Sequence, residues 1–200
     1  MLRRRAQRPF PKSFPTDQLE FFVIRPLLSA FVALAAFAPL ALSQTPDPQN
    51  TLVIELKTGK VLVKLRPDLA PKHVERAKAL AKQGFYNGIK FHRVIDGFMA
   101  QTGDPTGTGT GGSKLPDLPA EFSREPYKRG SVGAARTQDP NSANSQFFIC
   151  YDGCGPLTAK YTLWGEVVGG MEHVDKITRG EPPRTPDVMV KVYLLSDAKK

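Results

Sequence analysis

Cysteine and histidine are scarce: the 200-residue chain holds two of the first and three of the second. Cys150 and Cys154 enclose three residues, not the two of a redox or zinc motif, and no further cysteine exists to complete a metal site. A local disulfide and two free thiols are the open alternatives. A turn at Asp152-Gly153 would bring the Cα atoms to the ~4.4–6.8 Å a disulfide needs. A continuous strand would hold them roughly 13 Å apart. His73 and His173 fall on or near predicted helices with no companion at metal-binding spacing. His92, between Phe91 and Arg93, reads as a hydrogen-bonded structural histidine inside a strand. No G-x-S-x-G is present and no Ser/His/Asp set is suggested by local context, so hydrolase chemistry has little to build on.

The body of the chain also lacks a Lys/Arg run. Residues 1–43 carry six basic residues against Asp17 and Glu20, a net +4, which leaves +5 of the total +9 for the rest. That modest excess describes a solubilising surface and excludes a nucleic-acid role. A full membrane span is missing too. Residues 26–42 are uncharged and apolar, but Pro39 interrupts them and they are short for a ~20-residue span. Basic residues up to Arg25, this apolar run and Ala41-Leu42-Ser43 form the pattern of a secretory signal cleaved before Gln44, placing the mature protein in the periplasm or otherwise outside the cytoplasm. If uncleaved, the segment is a membrane anchor. Membrane association is expected in that case alone.

What is abundant is proline and glycine, 18 and 17 residues, which favour a loop-rich, strand-rich domain. After a linker at 44–50, Leu52, Ile54 and Leu56 alternate, then Val61, Val63 and Leu65, with Thr58-Gly59 between them: a β-hairpin with one buried face. Residues 68–83 predict a helix, with Pro71 in its first turn, Gly84 past its end and Val74, Ala77, Leu80 and Ala81 as its stripe. Further strands are predicted over 90–94, 98–101, 132–135, 146–151, 161–168 and 188–195, and a short second helix over 174–177. Eight strands and two helices point to a mainly β fold, a closed eight-stranded antiparallel β-barrel capped by two α-helices. The domain spans 51–197, with a tail at 198–200.

Gly107 to Gly112, GTGTGG, has the spacing of a dinucleotide loop, yet Pro116 and Pro119 follow where the receiving helix would start. A flexible surface loop is the expectation. The segment from Phe91 to Asp104 differs in quality. With Phe91, Arg93 and Ile95 alternating on one face, it sets a guanidinium beside Phe98 and Met99, with Gln101 close by. A fixed donor above an apolar floor suits a ligand that is part hydrocarbon ring and part amide.

This segment, FHRVIDGFMAQTGD, resembles the signature of the cyclophilins, FHR-x-I-x-GFM-x-Q-x-GD. Ser145-Gln146-Phe147-Phe148-Ile149 resembles the family's SQFFI strand, and Ala134-Ala135-Arg136-Thr137 with Asn141-Ser142 its bacterial form. Residues 161–168 with Gly170-Met171 resemble the strand and helix start that end the fold, so the match runs over about 51–197. The resemblance implies a peptidyl-prolyl cis-trans isomerase with no metal or cofactor, acting on proline-containing polypeptides and assisting the folding of exported proteins; a small single-domain barrel needs no oligomer, so a monomer is the expectation. The resemblance makes Arg93 the catalytic arginine, with Gln101 beside it. Phe98, Met99, Phe148 and Leu157 match the proline pocket, and Ala135 and Arg136 the segment whose backbone holds the substrate chain. Tyr161 stands where many members carry histidine and Pro156 where many carry tryptophan, which implies weak binding of the family's cyclic-peptide inhibitor. The rival readings are a module that holds proline segments with little turnover and a barrel with no ligand.

Overall fold

The computed structural model describes residues 45–198; the expected signal segment, its expected cleavage point and the last two residues lie outside them. Eight antiparallel strands make one curled sheet: β1 (Thr51–Leu56), β2 (Gly59–Leu65), β3 (Arg93–Ile95), β4 (Met99–Thr102), β5 (Ser131–Ala134), β6 (Phe147–Cys150), β7 (Leu163–Gly169) and β8 (Lys191–Leu194). Their order is β3-β4-β6-β5-β7-β2-β1-β8. The two end strands are tied just before each begins, by a Lys90–Val188 bridge and a bond from Phe91 N–H to the Asp187 carbonyl (2.9 Å). Curling the sheet on itself in this way leaves little free edge.

Period-two alternation sorts the side chains. Val94, Ala100, Val132, Phe147, Ile149 and Trp164 fill the barrel interior with Leu52, Ile54, Val61 and Val63. Their chain neighbours Met99, Phe148, Cys150 and Leu163 form a second apolar cluster on the outer face. That second cluster is the foundation of the site.

Helix α1 (Pro71–Lys82) buries Val74, Ala77, Leu80 and Ala81. Ala70 at its N-cap offers no side-chain acceptor, so the free backbone donors are met from far away. The Glu121 carboxylate accepts from the N–H groups of Lys72 and His73 (3.1 Å each) and from His73 Nδ1 (2.7 Å). Burial lowers the His73 pKa, against the opposing pull of Glu121. Burial alone would raise the Glu121 pKa, but the hydrogen bonds from the His73 ring and the two backbone amides outweigh it and hold the group below its ordinary range.

Several expectations need correction. Helix α2 is Met171–Val174, not 174–177: Gly170, with φ of +79°, starts it directly after β7, and Val174 and Ile177 anchor its end in the core. Phe91 does not share a face with Arg93. Residues 91 and 92 precede β3 and lack its pleat, which lets Phe91 turn fully into the interior. His92 is therefore not in a strand, and neither ring nitrogen has a hydrogen-bond partner among the described residues. The 44–50 segment, read as a linker, carries a 3-10 turn at Pro48–Asn50 capped by the Asp47 carboxylate.

Candidate active site

Strand register builds the site. Directly opposed residues on adjacent antiparallel strands point to the same face. Arg93 opposes Gln101, Gln101 opposes Phe148, Phe148 opposes Gly133, and Gly133 opposes Leu163, one row across five strands. Ile95, Met99 and Cys150 form the next row on that face. The row thus places a cation, an amide and an aromatic ring side by side on the outer surface of the barrel. Gly133 is required where it stands, because a Cβ there would run into the Tyr127 hydroxyl and the Phe148 ring.

Phe98 joins from the β3–β4 turn, Leu157 from a 3-10 turn at Gly155–Leu157, and Ala135, Arg136 and Tyr161 from the segments flanking β5 and β7. All nine residues singled out from the sequence (Arg93, Phe98, Met99, Gln101, Ala135, Arg136, Phe148, Leu157 and Tyr161) line one cavity of about 110 Å³. Beneath it, Cys150 and Cys154 are joined as a disulfide with Cα atoms 5.9 Å apart, both side chains fully buried. The bridge ties β6 to the turn that carries Leu157.

The aromatic walls brace one another. Tyr127 stacks on Phe148 with ring centres 5.9 Å apart, and Tyr161 meets the same ring edge-on at 5.9 Å. The Arg136 guanidinium lies 4.4 Å over the Tyr161 ring and donates to the Thr137 and Lys160 carbonyls (2.8 and 3.0 Å), so it acts as a wall. Ala135 N–H is taken by the Gln146 carbonyl (3.0 Å). The Ala135 carbonyl and Arg136 N–H make no hydrogen bond among the described residues and border the cavity.

Arg93 is held on two sides. Nε donates to Glu181 Oε2 at 2.7 Å, and Nη1 reaches Gln101 Oε1 at 3.5 Å. Gln101 in turn donates to Gln146 Oε1 (2.9 Å), and Gln146 donates to the carbonyls of Gly109 and Gly111 (3.0 and 2.8 Å). Nη2 makes no hydrogen bond among the described residues. The Arg93 and Glu181 side chains are 43% and 51% exposed, and a pair so wet contributes only about 0–1 kcal/mol to stability.

The GTGTGG segment, expected as a flexible surface loop, is tied down. Asp104 accepts from the N–H groups of Thr106 (2.7 Å), Thr108 (3.0 Å) and Gly109 (2.6 Å). Burial would raise the Asp104 pKa, but the hydrogen bond from the Thr106 hydroxyl (2.8 Å) and those from the backbone amides of Thr106, Gly111 and Gly109 outweigh it and hold the group well below the carboxylate range. The loop and Asn144 border a second, polar cavity of about 510 Å³ that shares Gln101, Ala135 and Arg136 with the first.

Sequence reasoning missed four contributors: Glu181, Gln146, Tyr127 and Gly133. Gln146 and Gly133 were legible in principle, since each sits at even spacing from a named residue on a strand. Glu181 and Tyr127 lie in loops distant along the chain and carry no local signal.

The pattern of the family described as cyclophilin type peptidyl-prolyl cis-trans isomerase/CLD matches residues 51–195. The chain belongs to the cyclophilin family. This cyclophilin is 50% identical over 187 residues to a probable peptidyl-prolyl cis-trans isomerase of Brucella suis, covering 86% of this chain and 95% of that one. It is 39% identical over 134 residues to the peptidyl-prolyl cis-trans isomerase-like 3 of Rattus norvegicus, covering 64% and 82%. Its fold is similar to the crystal structure of a Hirschia baltica cyclophilin, with a TM-score of 0.71 and 31% identity over 77% of each chain. A Cryptosporidium parvum cyclophilin-type isomerase, solved in the presence of the dipeptide Ala-Pro, matches with a TM-score of 0.67 and 28% identity, covering 72% and 98%. The cyclophilin described here is a peptidyl-prolyl cis-trans isomerase acting on proline-containing polypeptides.

Proposed function

We propose that this cyclophilin isomerises X-Pro bonds in exported proteins outside the cytoplasm, with Arg93 as the catalytic donor. The observation that carries the reading is the 110 Å³ cavity with Arg93 and Gln101 at one rim and Phe98, Met99, Phe148 and Leu157 as its apolar walls. Its size and lining suit a proline ring. The neighbour solved with Ala-Pro is consistent with such an occupant.

The obstacle is the partial double bond of the X-Pro amide, with a barrier of about 18–20 kcal/mol and uncatalysed exchange in roughly tens to hundreds of seconds. No nucleophile, metal or cofactor is needed. As the bond twists, the prolyl nitrogen regains its lone pair and becomes an acceptor. The open Nη2 edge of Arg93 donates to it there and not in the planar ground state. A donor favouring only the twisted state lowers the barrier instead of tightening binding. The apolar walls grip the ring while the acyl side rotates. The Ala135 carbonyl and Arg136 N–H hold the substrate backbone. A ~10⁵-fold gain requires roughly 7 kcal/mol of transition-state preference, within reach of one charged donor and fixed orientation in a partly dehydrated cleft.

Export rests on two features. Residues 1–43 read as a signal cleaved before Gln44, and the Cys150–Cys154 disulfide suits an oxidising compartment such as the periplasm. A cis-to-trans assay with an Ala-Pro peptide on residues 44–200, joined to N-terminal sequencing of the exported protein, tests the reading. Rapid turnover and a chain beginning at Gln44 are expected. A protein that retains Met1 in the cytoplasm would overturn export, and a protein that binds the peptide without turnover would favour the holding module.

A further inference from the structure

We propose that Glu181 is the positioning residue of this site, fixing the Arg93 guanidinium so that Nη2 faces the bound proline. The inference rests on the reading of Arg93 as the catalytic donor.

Backbone pairing puts the two side chains together before any side-chain geometry is considered. Val94 and Gly180 exchange two hydrogen bonds of 2.8 Å in an antiparallel bridge at the outer edge of β3. In that register the next pair is Arg93 and Glu181. They are cross-strand neighbours on one face, a spacing at which opposite charges meet. The segment is held again one step further on, where Arg179 Nε donates to Asp96 (3.0 Å) and Nη1 donates to the Ile177 carbonyl and the Tyr151 hydroxyl. Glu181 is therefore presented by an anchored stretch.

The mode of contact matters. Glu181 engages Nε alone, at 2.7 Å, and does not form the side-on pair with Nε and Nη2 that an arginine–carboxylate fork often makes. The opposite hold, Nη1 to Gln101, is at the 3.5 Å limit of a hydrogen bond. Glu181 is thus the stronger of the two anchors on a planar group. Anchoring Nε–H fixes the plane of the guanidinium and leaves the Nη2 edge for substrate. An arginine with several rotatable bonds and an exposed head would otherwise sample many orientations.

The test compares wild type, Glu181→Gln, Arg93→Ala and the double variant in the Ala-Pro assay, with the Arg93 Nε–Hε resonance followed by ¹⁵N-resolved NMR. Glu181→Gln should lower kcat about threefold to tenfold and leave KM within about twofold, because the apolar walls are untouched. It should also move the Nε–Hε resonance, and it should add no further loss in the Arg93→Ala background. A merely structural pair would give the same loss in both backgrounds, and that result would overturn the proposal. So would a Glu181→Gln protein with wild-type kcat while Arg93→Ala is inactive, which sinks the positioning role but spares the arginine. An active Arg93→Ala protein would instead overturn the catalytic assignment, and the positioning role with it.

Discussion

Phe148 and Gly133 show how one position constrains another. They oppose each other in the β5–β6 ladder, and the absent side chain at 133 makes room for the Phe148 ring and the Tyr127 ring stacked on it. Gly133→Ala should destabilise the domain by about 1–3 kcal/mol, since overpacking forces buried rings off their preferred rotamers. It should raise KM more than it lowers kcat, because a pocket wall moves while Arg93 does not. Tyr127 has a buried hydroxyl without a partner among the described residues, and that hydroxyl is one of the two groups the new methyl would strike. Tyr127→Phe should therefore recover part of the lost stability in the double variant. Urea denaturation and peptide kinetics read both effects, and a Gly133→Ala protein with wild-type stability and KM would contradict the packing argument.

At the scale of elements, the strands were legible from their apolar alternation: β2 buries Val61, Val63 and Leu65 between more exposed neighbours, and β4, β6 and β7 divide their side chains between the interior and the outer cluster. Their ends moved by one to three residues where the pleat stops before the hydrophobic run does, as at Phe91 and His92. Arg93 beside Phe98 and Met99 was readable from the strand pattern, and Gln101, Phe148 and Leu157 from the resemblance of their segments to the cyclophilin motifs. The polar supports were not. Glu181 lies 88 residues from Arg93, and Glu121 caps α1 from 48 residues away. Such pairings follow from how the loops close, not from a local pattern. The disulfide links the strand floor to the turn bearing Leu157. Replacing both cysteines by alanine should cost about 2 kcal/mol by the chain-entropy estimate for so short a loop. Equal urea midpoints for this variant and the oxidised wild type would refute that role.

For the molecule as a whole, acid sensitivity follows from the cap on α1. His73 has its pKa lowered from an ordinary 6.5 by burial, so the unfolded chain takes up a proton more readily and stability falls as pH drops below 6.5. Glu121 is held below its ordinary 4.5 by its hydrogen bonds, against the opposing effect of burial, so its contribution is present above 4.5 and lost on further acidification. Stability should be flat above about pH 7 and decline in two steps below it. Burial lowers the His92 pKa as well, so both imidazoles contribute to the first step. His73→Gln, which keeps a donor for Glu121 without titrating, should reduce that step in denaturation curves taken between pH 5 and 8 and leave the part due to His92. An undiminished slope in that variant would remove His73 from the account.

The account stands on one guanidinium doing the chemistry beside an apolar pocket that only holds the ring. The most direct measurement is the cis-to-trans rate of an Ala-Pro peptide with Arg93→Ala and Arg93→Lys proteins whose circular dichroism matches wild type. Arg93→Ala should lose most of its kcat, and Arg93→Lys should recover little, since an ammonium lacks the planar fork that keeps one edge engaged while another faces substrate. A folded Arg93→Ala protein that turned over substrate at the wild-type rate would contradict the account.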